Sequence, residues 1–190
     1  MHALVPLLFL LAQPFWELRP PEQWSPAEID QLRTNSPWAQ WVGRVAPVTV
    51  FLATALPIEH GEAELRLRFK KNRGAMAEPD PDYVEYLRDH GAEVFVLGVS
   101  YPQLIAFGKA GEDKSMEDET ALVIGRKEYR ILGYFPPTPS DPVLRLIFPR
   151  VVKPGDKLLT FRLYLPGLNF PEREAVFPVK DLIYQGKLEM

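Results

Sequence analysis

The clearest pattern in the chain is a series of short apolar runs, rich in β-branched residues and separated by charged or proline-containing turns. Two of these runs, residues 45–56 and 94–99, carry almost no charge, as is typical of strands buried on both faces. The same pattern predicts shorter strands further along the chain, at residues 121–124, 128–132, 143–148 and 158–165. Because the turns between these later strands are short, we expect an antiparallel meander.

Two short helices are indicated by the residues at their ends. The sequence Ser-Pro-Ala-Glu at residues 25–28 combines an N-cap serine, a first-turn proline and a capping-box glutamate, and it predicts a helix over residues 26–33. The pair Asp-Pro at residues 80–81 predicts a second helix, over residues 81–90, for the same reasons.

Residues 62–71 fit two different structures. Apolar side chains alternate strictly with charged ones, as in a half-buried strand. Opposite charges are also spaced four residues apart, as on a helix, in the pairs Glu62/Arg66 and Glu64/Arg68. The alternation favours a strand.

An uncharged apolar run, residues 3–12, opens the chain. A membrane-spanning helix needs roughly 20 apolar residues, whereas the central region of a signal peptide needs about 7–15. We therefore predict that residues 1–12 are a signal peptide, that the protein is exported to the periplasm or secreted, and that the mature chain has no membrane span. The alternatives are a buried N-terminal strand or helix, and an uncleaved anchor.

All the tryptophans lie near the start of the chain, at Trp16, Trp24, Trp38 and Trp41. They define a Trp-rich segment with a short helix, residues 13–44, ahead of a single mainly β globular domain at residues 45–190. Indole rings pack in cores, and they also stack on sugar rings or peptides. The favoured interpretation is that Trp24, Trp38 and Trp41 clamp the N-terminal helix to the sheet. The alternative is that the same three residues form a ligand platform.

Composition restricts both the fold class and the partners. The chain has 190 residues, of which 46% are hydrophobic and 20 are prolines, which interrupt long helices. We predict an α+β fold dominated by antiparallel β-structure, of which a β-sandwich is one arrangement, with two or three short peripheral helices. The formal net charge is −3 and the basic residues are spread along the chain, so nucleic-acid binding has no electrostatic basis. There is no cysteine, which excludes a disulfide.

Five short motifs are spread over the predicted mature chain: WS at residues 24–25, NSPWA at 35–39, ALP at 55–57, IFPR at 147–150 and KDLIYQGKLE at 180–189. Together they resemble a group of uncharacterised exported proteins of Acidobacteria. The resemblance covers most of the mature chain and implies export and a shared fold. It also implies a helix after Ala-Leu-Pro, against the alternation of residues 62–71, but it brings no known activity, cofactor or catalytic residue.

The sequence that most resembles a catalytic motif surrounds Ser100. Residues 98–102 follow a predicted strand and precede a short helix expected over residues 102–107, as in a nucleophile elbow. However, Pro102 replaces the second glycine of that motif, and no histidine follows His90 to complete a triad. We therefore expect an ordinary turn at Ser100.

Metal ligands are also sparse. His60 and His90 are isolated, and the local cluster at residues 59–62 is interpreted as a solvated turn. The acidic run at residues 111–119 lacks the ligand spacing of a calcium loop and is expected to be a solvated loop. We predict no metal, no cofactor and no phosphate-binding loop.

These observations favour a non-enzymatic exported envelope or secreted protein, which acts by binding an unknown protein or glycan ligand or as a structural component. The alternative is a carboxylate-dependent hydrolase of cell-wall or extracellular glycans. A concave pair of carboxylates with one raised pKa would favour the hydrolase. A flat apolar or aromatic patch would favour the binding protein.

Overall fold

The computed structural model describes residues 13–73, 79–101, 111–138 and 141–190. The predicted signal peptide, residues 1–12, lies outside the described residues, as does the short helix expected over residues 102–107. Within the described ranges, no helix is long and apolar enough to cross a membrane.

The fold is mixed α+β and mainly antiparallel β, as the sequence predicted. The helices are α1 (Phe15–Leu18), α2 (Pro26–Thr34), α3 (Leu56–Arg73), α4 (Pro81–His90) and α5 (Glu112–Glu119). The strands are β1 (Ala39–Val42), β2 (Val48–Leu52), β3 (Val94–Ser100), β4 (Ala121–Ile124), β5 (Lys127–Arg130), β6 (Gly133–Phe135), β7 (Val143–Pro149), β8 (Leu158–Tyr164), β9 (Glu172–Pro178), β10 (Ile183–Tyr184) and β11 (Lys187–Leu188).

The strands of the described residues form two main sheets and one small hairpin. The five-stranded sheet has the order β1-β2-β3-β7-β6, the four-stranded sheet has the order β5-β4-β8-β9, and β10 pairs with β11. All pairs are antiparallel. Strands β4 and β5 form the predicted hairpin. The simple meander was wrong, because β7 returns to the central strand β3 while β4 pairs with β8.

The inner faces of the two sheets meet in a core rich in phenylalanine. Phe95 and Phe148 stack on the five-stranded sheet and meet Phe161 of the four-stranded sheet, with ring centroids 6.2 and 5.2 Å away. Phe161 in turn contacts Phe177 of β9 at 5.8 Å. This face-to-face packing of two antiparallel sheets is the sandwich arrangement that the composition allowed.

The two helices predicted from their ends are confirmed. In α2, the hydroxyl of Ser25 accepts the N–H of Glu28 at 3.2 Å, and the carboxylate of Glu28 accepts the N–H of Ser25 at 2.7 Å. In α4, the carboxylate of Asp80 accepts the N–H of Asp82 at 2.9 Å. Helix α4 lies on the outer face of the five-stranded sheet, where Tyr83 packs against a small apolar cluster, Val94, Val96 and Ile147.

The strand favoured for residues 62–71 is wrong, because these residues belong to α3. The ion pairs spaced four residues apart form, with 2.9 Å between Arg68 Nε and the Glu64 carboxylate. The alternating apolar residues do not share one buried face, since Leu67 and Phe69 are exposed. The helix implied by the resemblance is therefore the observed structure.

Three further predictions need correction. Residues 59–62, interpreted as a solvated turn, belong to helix α3. Residues 45–56 are not one strand: β2 covers only Val48–Leu52, and it is preceded by a reversal of the chain from β1 that includes Gly43 at φ 95°. The loop expected at residues 111–119 is helix α5, whose single apolar side chain, Met116, is fully buried. One apolar residue in an acidic run gives no helical periodicity, so the sequence pattern could not reveal it.

Candidate functional site

The structure separates the three tryptophans that were expected to act together. Trp24 and Trp38 are 1% and 0% exposed, and their indole N–H groups donate to the carbonyl oxygens of Arg19 and Glu189 at 3.0 and 3.1 Å. Trp41 is 58% exposed on β1. Trp24 and Trp38 thus pack in the core, as the favoured interpretation predicted, but Trp41 does not, and the alternative of a ligand platform is left with Trp41 alone.

The site that combines apolar walls with converging polar groups is a cleft of about 410 Å³ between α3, α4 and the outer face of the five-stranded sheet. We call it the central cleft. Phe51, Tyr83 and Val84 supply apolar lining, and Glu59, Glu62 and Arg145 supply polar lining. A pocket of this size and mixed lining is the usual form of a small-molecule site.

The floor of the central cleft is set by the register of the sheet. Ser100 of β3 lies opposite Val143 of β7, and Gly98 lies opposite Arg145, so these four residues form two rows on the outer face. Phe51 of β2 continues the second row, opposite Gly98. Alternation in β3 and β7 sends the intervening residues to the inner core, which explains why a buried apolar strand can carry Arg145 on its other face.

A glycine in the sheet makes room for the aromatic floor. A Cβ atom at Gly98 would lie 2.4 Å from Cζ of Phe51, inside any real contact distance. The ring of Phe51 therefore lies across the backbone at Gly98, a close approach that only glycine permits.

Arg145 is the most strongly anchored polar group of the cleft. It is 9% exposed, and its terminal nitrogens donate to the Asp141 carboxylate at 2.6 and 3.2 Å. Its guanidinium carbon lies 4.4 Å from the ring centroid of Tyr83, a distance suited to a cation–π interaction. Its Nε is buried and has no hydrogen-bond partner among the described residues. A buried donor without a partner costs about 1–3 kcal/mol, which a ligand oxygen in reach of it would offset.

The opposite wall carries a second ionic group. Arg33 of α2 donates from Nε to the Glu62 carboxylate at 2.6 Å, and Arg66 lies 3.8 Å from the other oxygen of the same carboxylate. All three side chains are partly exposed, between 23% and 34%. They form a fixed but accessible set of hydrogen-bonding groups.

Glu59 lies one helical turn before Glu62 on the same wall. Desolvation by the surrounding protein raises the pKa of Glu59, and the charge of Glu189 adds to this, while Arg150 and Arg66 oppose it. The Glu59 side chain still reaches solvent. Exposure together with desolvation is the environment of a carboxyl in a concave wall, where nearby protein displaces much of the hydrating water.

The charged residues that line the central cleft balance one another. Three are arginines and three are acidic: Arg33, Arg66, Arg145, Glu59, Glu62 and Asp141. Five of the six take part in ion pairs with one another. The described part of the lining therefore carries no excess of one charge, which a strongly ionic ligand would need.

A larger concavity, about 600 Å³, lies over the outer face of the four-stranded sheet, but it is a weaker candidate. Its lining is mainly charged, and exposed ion pairs join Glu128 to Arg130 and Arg162. Such pairs on a solvated surface contribute little specificity or stability. The central cleft has the apolar walls that this face lacks.

The remaining sequence candidates do not form a catalytic or metal centre in the part of the chain that is described. Ser100 lies at the floor of the central cleft, while His60 packs against Tyr184 and His90 against Tyr86. No histidine lines the cleft among the described residues. The same residues contain no group of three or more side chains suited to hold a metal ion.

Comparisons of the chain with family models, with curated proteins and with solved structures gave no match. The central cleft is therefore interpreted from its own geometry.

Most residues of the central cleft were not found from the sequence. Arg145 left one signal, as a charged residue inside the apolar run at residues 143–148. Asp141 lies four residues earlier, but outside a helix that spacing predicts no contact. Tyr83 and Glu59 belong to separate helices, and only the packing of α3 and α4 on one sheet face brings them together.

Proposed function

We propose that this protein is a binding protein and that the central cleft holds a small, uncharged, polar organic ligand with an apolar face. One observation carries the proposal. Aromatic side chains and charged side chains that pair with one another line the same concavity of about 410 Å³. Export and the absence of an enzymatic role belong to the same proposal.

The chemistry of the lining supports this class of ligand. Phe51 and Tyr83, each 7% exposed, and the exposed Val84 form the apolar part of the lining. Aromatic side chains contribute much of the binding energy in such sites. Arg145 and Glu62 are held by their ion-pair partners, so a ligand need not immobilise them on binding. The balanced charge argues against phosphate-rich ligands.

A substitution that fills part of the central cleft tests the proposal. Val84 lines the cleft from α4 and is exposed, so Val84→Trp narrows the cleft without disturbing the core. The matched control is Val45→Trp, also at an exposed valine, outside the cleft. Thermal-shift screening of wild type with a panel of neutral sugars, polyols, nucleosides and amino acids finds ligands, which are then titrated by calorimetry.

The proposal predicts saturable binding that falls at least about tenfold, or about 1.4 kcal/mol, in Val84→Trp and is unchanged in Val45→Trp. If no compound of the panel binds, or if binding is the same in both variants, the central cleft is not the site and the proposal is wrong.

A second candidate, a carboxylate-dependent glycan hydrolase, is favoured by one observation. Two carboxyl groups, Glu59 and Glu62, lie on one cleft wall, and the pKa of Glu59 is raised. A general acid must hold its proton at the working pH, and glycoside hydrolases pair such an acid with a second carboxylate.

Product analysis separates the two candidates. A hydrolase releases new reducing ends from soluble glycans, and Glu59→Gln abolishes this release while Glu93→Gln, at an exposed glutamate outside the cleft, does not. A binding protein releases none, and Glu59→Gln still binds.

A further inference from the structure

A second depression adjoins the central cleft at the β1 edge of the five-stranded sheet. This depression, about 200 Å³, is lined by Arg33, Thr34, Trp41, Thr49, Phe51 and Ser100. Three of these residues, Arg33, Phe51 and Ser100, also line the central cleft. The two concavities thus adjoin, and we call them together the groove. Tyr83 lines only the central cleft and Trp41 only the second depression.

The direction of the groove follows from the strand register. Trp41 lies opposite Thr49, Thr49 opposite Ser100, and Ser100 opposite Val143. These four residues form a row across four neighbouring strands, all on the outer face. With strands spaced about 4.8 Å apart, the row is roughly 14 Å long, which exceeds the width of a single small ring.

Trp41 is placed for contact with a ligand. It is 58% exposed, whereas Trp24 and Trp38 are buried. Its neighbours in the row, Thr49 and Ser100, carry hydroxyl groups that both donate and accept hydrogen bonds. Arg33 lines both concavities.

We infer that the ligand is a short chain of neutral sugar units, which lies across the strands with one end in the central cleft and the other stacked on Trp41. This inference rests on the proposed function of the cleft. Each sugar unit has an apolar C–H face and a rim of hydroxyl groups, which match the aromatic residues at the two ends of the groove and the hydroxyl groups of Thr49 and Ser100 between them. The balanced charge of the cleft favours neutral units over acidic ones.

An extended peptide fits the groove less well. Peptides that bind to sheets add a strand at an open edge, through main-chain hydrogen bonds. The groove crosses β2 and β3, whose main-chain groups are already paired with strands on both sides. Only side chains are available to a ligand there.

The test is calorimetric titration with neutral oligomers of glucose, N-acetylglucosamine, mannose and xylose, one to six units long. For the sugar that binds, the affinity of wild type rises at least about tenfold from one unit to three and then levels off. Trp41→Ala loses this gain but binds the single unit as wild type does, and Trp41→Phe, which keeps an aromatic ring, retains most of it. Phe170→Ala, at an exposed aromatic residue outside the groove, is the control and behaves as wild type.

Fluorescence gives a second readout. A trimer stacked on Trp41 shifts the emission of wild type to shorter wavelength, because the exposed indole loses water, and the shift is absent in Trp41→Ala.

The experiment distinguishes failure of the sugar-chain inference from failure of the proposed function. Sugars that bind the cleft with no gain from chain length, or with a gain that survives Trp41→Ala, overturn the inference and leave the proposed function intact. Binding of an uncharged ligand other than a sugar has the same meaning. Absence of any binding, to sugars or to the wider panel, overturns both.

Discussion

The indole N–H of Trp38 donates a hydrogen bond of 3.1 Å to the carbonyl oxygen of Glu189, so a residue near the start of the chain is fixed to one beside its end. The same glutamate accepts the N–H of Leu56 with its carboxylate, at 3.4 Å. The ring of Trp38 also meets those of Trp16 and Tyr184 edge to face, at 5.7 and 6.2 Å. Trp38 and Glu189 together therefore join the N-terminal segment, the start of α3 and the C-terminal hairpin.

Replacement of Trp38 by alanine is expected to cost about 3–5 kcal/mol of unfolding free energy, the usual range for a large aromatic residue removed from a core. Trp41→Ala is the matched control and should stay within about 0.5 kcal/mol, because its side chain is exposed. Chemical unfolding of both variants beside wild type measures this. Equal losses in the two variants would contradict the division into one core tryptophan and one surface tryptophan.

Removal of residues 1–12 is expected to leave the melting temperature unchanged, as the signal-peptide prediction requires. Removal of residues 1–16 should lower it, because Phe15 contacts Trp24 at 5.6 Å and Trp16 contacts Trp38. Each aromatic pair contributes about 0.5–1.5 kcal/mol. Calorimetric melting of both truncated proteins tests this. A large drop on removing residues 1–12 alone would place that segment in the core.

The sequence predicted the fold best where a local rule acts alone. Ser25 and Glu28 mark the start of α2, and the apolar run at residues 94–99 marks β3, without reference to any other part of the chain. The prediction failed for α3, where two periodicities compete, and no strand was predicted at β9, which begins with three charged residues. In both, tertiary packing decides the structure.

The central cleft could not be predicted, for a related reason. Its rows depend on the register between β2, β3 and β7, which are far apart in sequence. From the sequence alone, the residue types at Arg145 and Phe51 are known, but the residues that lie beside them in the fold are not. Burial alone separates Trp38 from Trp41, and the sequence pattern treats the two indoles alike.

Gly98→Ala is expected to destabilise the protein by about 1–3 kcal/mol, because the added methyl group must displace the ring of Phe51. Gly155→Ala is the control, since nothing lies within 4 Å of a Cβ atom there and its φ is not positive. Urea unfolding measures both. The double variant Gly98→Ala/Phe51→Ala should lose a different amount of unfolding free energy from the sum of the losses in Gly98→Ala and Phe51→Ala, as expected for residues in direct contact. Additive costs would mean that the ring does not lie over Gly98.

Stability above pH 10 should depend on Tyr83. Burial raises the pKa of Tyr83 to about 12, with the charge of Arg145 partly opposing this, whereas a tyrosine in the unfolded chain ionises near pH 10. Between these values the folded state holds one more proton than the unfolded state. The contribution of Tyr83 is therefore complete below about pH 10 and falls by about 1.4 kcal/mol per pH unit up to about pH 12.

Tyr83→Phe keeps the ring beneath Arg145 and removes the ionisable hydroxyl. Denaturant unfolding of both proteins across this pH range measures the unfolding free energy. This free energy should fall less steeply with pH in the variant, and the difference in slope should correspond to about one proton. Burial also raises the pKa of Tyr101, so part of the decline persists. Parallel curves for the two proteins would show that Tyr83 ionises normally in the folded state.

The most direct test of the central claim is to map the bound ligand on the protein. Amide spectra of isotope-labelled protein are recorded during titration with trimers of glucose, N-acetylglucosamine, mannose and xylose. The account predicts saturable shifts at Thr49, Ser100 and Val143, along the outer face of the five-stranded sheet. Shifts confined to the outer face of the four-stranded sheet, around Glu128 and Arg162, or no shifts with any trimer, would contradict it.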